Sequence, residues 1–122
     1  MSVKTISGIV LVSKNPKALA TFYKNVFGLT FTRESHGKLP THYFTKIEGT
    51  RFIIHSPKGH PNLVPRQGSI SLSFAVDSID EISAKLKALK VEKLLERTES
   101  FGKRIEFRDL DGNAVNAVEL ST

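Results

Sequence analysis

The clearest structural signal in the chain is FGKRIEFRDLDGNAVNAVEL, Phe101 to Leu120. Two segments with apolar residues at alternating positions flank the turn Asp-Leu-Asp-Gly-Asn, a pattern typical of an antiparallel β-hairpin. In that turn Asp109 and Asp111 can accept hydrogen bonds from the backbone, and Gly112 can adopt a positive φ. The stretch therefore predicts two paired strands joined by a tight turn.

With this hairpin included, the chain shows one pattern twice, a strand and a helix followed by three strands. Gly49 and Gly112 lie 63 positions apart (112 − 49), and so do Gly8 and Ser71 of the two leading strands. Two anchors with one offset indicate an internal repeat. The predicted elements are strands at 5–12, 29–34, 41–47, 51–55 and 69–76, helices at 15–27 and 78–89, and three strands in the remainder.

These elements predict an α+β fold of two βαβββ modules in a single domain, residues 1–122. Module one is expected at about 1–56 and module two at 69–122. Between them, residues 57–68 hold three prolines and two glycines, which is typical of a linking loop.

Composition and charge exclude several classes of function. A chain of 122 residues that is 39% hydrophobic suits one soluble domain. It has no cysteine, which excludes disulfides and thiolate ligands, and neither a long apolar run nor a secretory signal, so we expect a cytoplasmic protein without membrane contact. The net charge is +6, but its lysines are spread along the predicted helices without interleaved aromatic residues. We therefore expect no nucleic-acid partner.

The run NPKALATFYKNVFGLTF, residues 15–31, and the Asp-Leu-Asp-Gly-Asn hairpin together resemble the vicinal-oxygen-chelate superfamily of glyoxalase I, bleomycin-resistance proteins and extradiol dioxygenases. In the family pattern a proline stands where this chain has Leu110. The resemblance implies that each module curls into a concave mixed sheet with its helix on the convex side, and that the modules enclose a ligand cup. It also implies a homodimer.

The resemblance implies that metal-binding members hold their ion with four inward residues, at positions occupied here by Gly8, Ile53, Ser71 and Asn116. Glycine and isoleucine offer no donor atom, and a neutral serine or a single asparagine is a poor ligand for a transition metal. The sequence therefore predicts no metal and no cofactor.

Strand alternation predicts which residues face the cup, because residues two apart share a face and the helix-covered face should be apolar. The offset of 63 carries Arg104 and Glu106 back to Thr41 and Tyr43. Phe44 and His42 then fall on the outer face, whereas His36 and His60 fall in loops and are not included in the site. The predicted ligand-binding residues are Thr41, Tyr43, Arg51, His55, Ser71, Arg104, Glu106 and Asn116.

Three functions remain open at this point. The first is a metal-independent small-molecule-binding protein of the bleomycin-resistance or glyoxalase-like type, with a polar or anionic ligand because Arg51 and Arg104 face inward. The second is a lyase or isomerase in which His55 or Glu106 is catalytic and transfers a proton. The third is a regulatory or interaction module with a vestigial cup. Arg104 and Glu106 could equally form a plain cross-strand ion pair.

Overall fold

The computed structural model describes residues 2–38, 40–66 and 69–120. Positions 1 and 39 of predicted module one, 67 and 68 of the predicted linker and the last two of predicted module two lie outside the described residues. Two four-stranded mixed sheets and two helices confirm the α+β fold of two βαβββ modules. None of the described helices has the length and apolar character needed to span a membrane. The elements are β1 Gly8–Val12, α1 Pro16–Phe27, β2 Thr32–Glu34, β3 His42–Ile47, β4 Thr50–His55, β5 Ser71–Ala75, α2 Ile79–Ala88, β6 Leu95–Glu99, β7 Gly102–Arg108 and β8 Ala114–Leu120.

The chain divides into two compact units, one with β1 to β4 and most of α1, the other with β5 to β8 and α2 together with the last residues of α1, Asn25–Phe27. Whether the two units fold as a single domain stays a prediction.

The first unit contains a sheet in the order β1-β4-β3-β2, with β1 parallel to β4 and the other pairs antiparallel. The helix α1 begins where the Asn15 side chain accepts a hydrogen bond from the Ala18 amide, and it ends at Gly28, whose φ is 72°. The ring of Tyr23 meets Phe52 of β4 edge-on at 5.1 Å. The face of β4 that carries Phe52 is therefore the helix-covered one.

The second unit repeats this topology in the order β5-β8-β7-β6. The helix α2 is capped by Ser78, whose side chain accepts from the Glu81 amide. Both helix-covered faces are apolar, as alternation predicted, because a helix stripe and a sheet face bury each other's apolar side chains. Their buried residues are Leu11, Phe52 and Ile54 in the first unit and Leu72, Ile105, Phe107, Val115 and Ala117 in the second.

One strand, β3, has the opposite facing to the one predicted. Residues directly opposite each other in a sheet share a face, and Tyr43 lies opposite Ile54 whereas Phe44 lies opposite Ile53. Tyr43 is therefore on the helix-covered face and Phe44 on the polar face, so both predictions were wrong. Thr41 precedes β3 and its hydroxyl bonds to that of Ser35 at 2.9 Å.

The physical reason is the length of the hairpin turn. In β3–β4 only Glu48 and Gly49 separate the last pair, with φ values of 48° and 84°, a two-residue turn with both residues left-handed. In β7–β8 five residues, 109–113, separate Arg108 from Ala114. The offset between the modules is therefore 63 for the strands after the turn, β4 and β8, and 62 for the strands before it, β3 and β7. In β3 it is Phe44, and not Tyr43, that corresponds to Glu106. A slip of one residue exchanges the two faces of a strand.

Candidate functional site

The polar face of the second sheet is organised around Arg104. Its Nη1 donates to Asn116 Oδ1 at 2.9 Å and its Nη2 to Glu99 Oε1 at 3.4 Å, while Glu106 Oε2 lies 4.0 Å from Nη1. The amide of Asn116 in turn donates from Nδ2 to Ser71 Oγ at 3.2 Å. These contacts hold the guanidinium at a defined place among polar groups, and its buried Nε has no hydrogen-bond partner among the described residues.

A cavity of about 200 Å³ opens at the β6 edge of this sheet, but on its helix-covered side, because Ile79 and Asp80 of α2 line it and its Glu96 lies opposite Ile105. It is smaller than the pocket of a drug-sized ligand, which is about 300–1,000 Å³. Three cationic side chains and two carboxylates surround it, so its charge is mixed with a positive excess. Its lining residues are Ile79, Asp80, Glu96, Arg97, Thr98, Lys103 and Arg104.

The polar face of the first sheet is organised around Glu34, which no sequence pattern had singled out. Its Oε1 accepts from His42 Nε2 at 3.0 Å and from Arg51 Nη2 at 2.8 Å. Burial raises the pKa of the Glu34 carboxyl, but the hydrogen bonds and positive charges of His42 and Arg51 outweigh it, so that the pKa lies below its ordinary value. The guanidinium of Arg51 also lies 4.0 Å above the ring of Phe44.

His55 lies on this same face at the end of β4. Its ring stacks on His42 with centroids 4.4 Å apart and meets His60 edge-on at 5.8 Å, and its buried Nδ1 has no hydrogen-bond partner among the described residues. Burial lowers the pKa of His55, and the charges of His42 and His60 lower it further. At neutral pH the imidazole is therefore neutral and has a nitrogen free to accept a proton.

The lowered pKa of His55 predicts that stability falls as the pH is lowered below about 6.5, the ordinary histidine value. In that window the unfolded chain binds a proton that the folded protein does not, so the free energy of unfolding decreases with decreasing pH until the folded pKa is passed. Urea denaturation between pH 7.5 and 5.5, in the presence of a chelator, should show this decrease, and His55→Gln should reduce it. An equal slope in the variant would contradict the assignment. The contribution of Glu34 is separate, because its lowered carboxyl pKa matters only at more acidic pH.

The structure brings the predicted residues together in two groups, each on one sheet. Arg51 and His55 lie on the polar face of the first sheet, and Ser71, Arg104, Glu106 and Asn116 lie on that of the second. Thr41 and Tyr43 join neither group. His42 and Glu34 were missed, although the pairing of Glu34 with His42 across β2 and β3 would have revealed them once the turn length was known.

The model of the Glyoxalase/Bleomycin resistance protein/Dioxygenase superfamily matches residues 5–117. The chain belongs to this superfamily. Among solved structures it resembles the fosfomycin resistance protein FosX from Listeria monocytogenes, complexed with Mn(II) and 1S,2S-dihydroxypropylphosphonic acid, at a TM-score of 0.77 and 22% identity, covering 98% of this chain and 95% of that one.

Two further solved structures, from other organisms, are similar to this chain. Lactoylglutathione lyase from Agrobacterium tumefaciens gives a TM-score of 0.71 at 21% identity, with 98% of this chain and 96% of that chain covered. An integron cassette protein of Vibrio cholerae gives 0.75 at 21% identity, with 99% and 98% covered. At such identities the likeness concerns the fold alone. A search of curated proteins gave no significant match.

The superfamily includes metal-dependent members, but the residues at the corresponding positions here do not fit a metal ion. Gly8 and Ile53 contribute no donor atom, and the one amide oxygen, Asn116 Oδ1, accepts from the Arg104 guanidinium at 2.9 Å. A divalent ion beside that oxygen would face a fixed positive charge at hydrogen-bond distance.

Proposed function

We propose that this protein binds a small polar or anionic molecule, and that Arg104 provides the main contact without help from a metal at the superfamily's positions. The observation that carries the proposal is the bond from Arg104 Nη1 to Asn116 Oδ1, which sets a guanidinium against one of the four positions that the resemblance assigns to metal ligands. A guanidinium binds carboxylate and phosphonate groups with paired hydrogen bonds.

The ligand class follows from charge. The guanidinium of Arg104 on the polar face and the net charge of +6 favour an anion over a cation. The FosX structure contains a phosphonic acid, so phosphonates belong in the first panel of compounds beside mono- and dicarboxylates. Homodimer formation and a cytoplasmic location, both predicted above, are parts of the same proposal.

Arg104→Met should weaken binding of the anion that most stabilises the protein by about 10- to 100-fold, the usual loss for one hydrogen-bonded charge. The anion is found by thermal melting of the untagged protein with the panel in a chelator, since a ligand that binds only the folded state raises the melting temperature. Calorimetry then compares the variants. Arg33→Met is the matched control, because Arg33 lies opposite Tyr43 on the helix-covered face of the other sheet.

Unchanged affinity in Arg104→Met would remove Arg104 from the site. If no compound in the panel raised the melting temperature, binding of these small molecules would be rejected. The third function, a regulatory or interaction module with a vestigial cup, would then be favoured.

A second candidate function, a metal-independent lyase or isomerase, is favoured by His55. Its lowered pKa and its unpartnered Nδ1 suit a group that accepts a proton. Glu106, on the other sheet, offers a carboxylate near Arg104. Incubating the stabilising compound with the protein and following it by NMR tests for conversion. Equal turnover in His55→Gln, Glu106→Gln and the wild type would remove this candidate.

A further inference from the structure

All four histidines of the chain lie in one connected group on the first unit. The ring centroids of His36 and His42 are 5.2 Å apart, those of His42 and His55 are 4.4 Å apart, and His60 follows at 5.8 Å from His55. Glu34 lies at one end of this row. Its Oε1 contacts His42 Nε2 at 3.0 Å and its Oε2 lies 3.8 Å from His36 Nε2. Imidazole beside carboxylate is a donor set that transition metals use in proteins.

The three side chains at this end have the separations of a metal site. One ligand atom from each of Glu34, His36 and His42 can be chosen so that all lie within 4.8 Å of one another. Bonds to zinc are about 2.0–2.2 Å long, so the ligand atoms of a tetrahedral site are about 3.3–3.6 Å apart. Small rotations of these side chains are enough to close the site.

Of these three side chains, Glu34 and His42 are held in place and His36 is free to move. His42 is 7% exposed and stacked on His55. Arg51 holds Oε1 of Glu34, which leaves Oε2 turned toward His36 and gives the carboxylate the outer hydrogen bond common among metal ligands. The side chain of His36 is 58% exposed, so it can swing onto an ion that enters from solvent.

We propose that Glu34, His36 and His42 bind one divalent transition-metal ion of the Zn²⁺ or Ni²⁺ class. The site uses Glu34 of β2, His42 of β3 and His36 just after β2, so it differs from the superfamily's positions and from the expectation, drawn from the sequence, that no metal is bound. Three protein ligands leave a coordination position open for water or an anion. The guanidinium of Arg51, 2.8 Å from Oε1, makes binding weaker than in a closed structural zinc site.

Calorimetric titration of the untagged, metal-stripped protein with Zn²⁺ tests this site. We expect one ion per chain, and at least a 10-fold loss of affinity in His36→Ala and in Glu34→Gln. His36 is the preferred substitution because its exposure makes the variant safe for folding. Titration with Co²⁺ adds a visible spectrum that reports imidazole and carboxylate coordination, and this spectrum should disappear in His36→Ala.

Two control variants test whether the loss of Zn²⁺ affinity is specific to the three proposed ligands. His60→Ala removes a histidine outside the proposed trio, and Asn116→Ala alters a superfamily position in the other unit, so both should bind Zn²⁺ as the wild type does. Absence of Zn²⁺ binding, or affinity unchanged in His36→Ala, would overturn the proposal. Loss in Asn116→Ala would move the ion to the superfamily's positions. Anion binding in a chelator is measured separately, so either proposal can fail alone.

Discussion

Phe107→Ala should lower the free energy of unfolding by about 3–5 kcal/mol, the usual cost of emptying a buried phenylalanine site. Phe107 is 0% exposed near the end of β7, on the helix-covered face, and its ring lies 6.0 Å from that of Phe27. The loss combines the transfer of a large apolar side chain with a cavity that neighbouring strands cannot close. Urea denaturation monitored by circular dichroism measures the change.

The control for this substitution is Phe101→Ala. Phe101 is 48% exposed in the turn before β7, so its removal should change the free energy of unfolding by about 0.5 kcal/mol or less. If both variants lost the same stability, the assignment of β7 faces, and with it the inward placement of Arg104 and Glu106, would be wrong.

Asp109→Ala should cost about 2–4 kcal/mol of stability, because one buried carboxylate organises the whole β7–β8 turn. Its Oδ1 accepts from the amides of Asp111 and Asn113 at 2.9 and 3.0 Å, and its Oδ2 accepts from Asn113 Nδ2 at 2.9 Å. Alanine would leave the buried Asn113 side chain without its partner. The same urea denaturation measures the loss.

Asp111→Ala is the matched control, since only the backbone amide of Asp111 takes part in these bonds and its buried Oδ2 has no hydrogen-bond partner among the described residues. We expect a change of about 0.5 kcal/mol or less. A larger loss in Asp111→Ala than in Asp109→Ala would show that the turn is organised differently.

Local signals allowed most of the fold to be predicted from the sequence. The Asn15 cap and the Gly28 stop placed α1, and the Ser78 cap placed α2, because each signal acts on neighbouring backbone groups. Alternation placed Phe52 and Phe107 on the helix-covered faces correctly. These features depend on a few adjacent residues, so no knowledge of distant pairing is needed.

The facing of β3 could not be predicted in the same way. It depends on how many residues the hairpin turn takes, and the repeat comparison assumed equal turns where one module uses two residues and the other five. Because of that single difference, Tyr43 was predicted on the polar face, whereas in the structure His42 lies there. The Glu34–His42 contact was lost with it, because that contact requires both the correct face of β3 and the pairing of β2 with β3.

The proposed binding of an anion by Arg104 without a metal is tested most directly by one melting experiment run in two buffers. The untagged protein is melted with the panel of carboxylates and phosphonates, once with a chelator and once with added Mn²⁺. At least one anion should stabilise the wild type equally in both buffers and lose its effect in Arg104→Met. Stabilisation that appears only with Mn²⁺, or that persists in Arg104→Met, would contradict metal-independent binding by Arg104 and would assign the anion to a metal-dependent site instead.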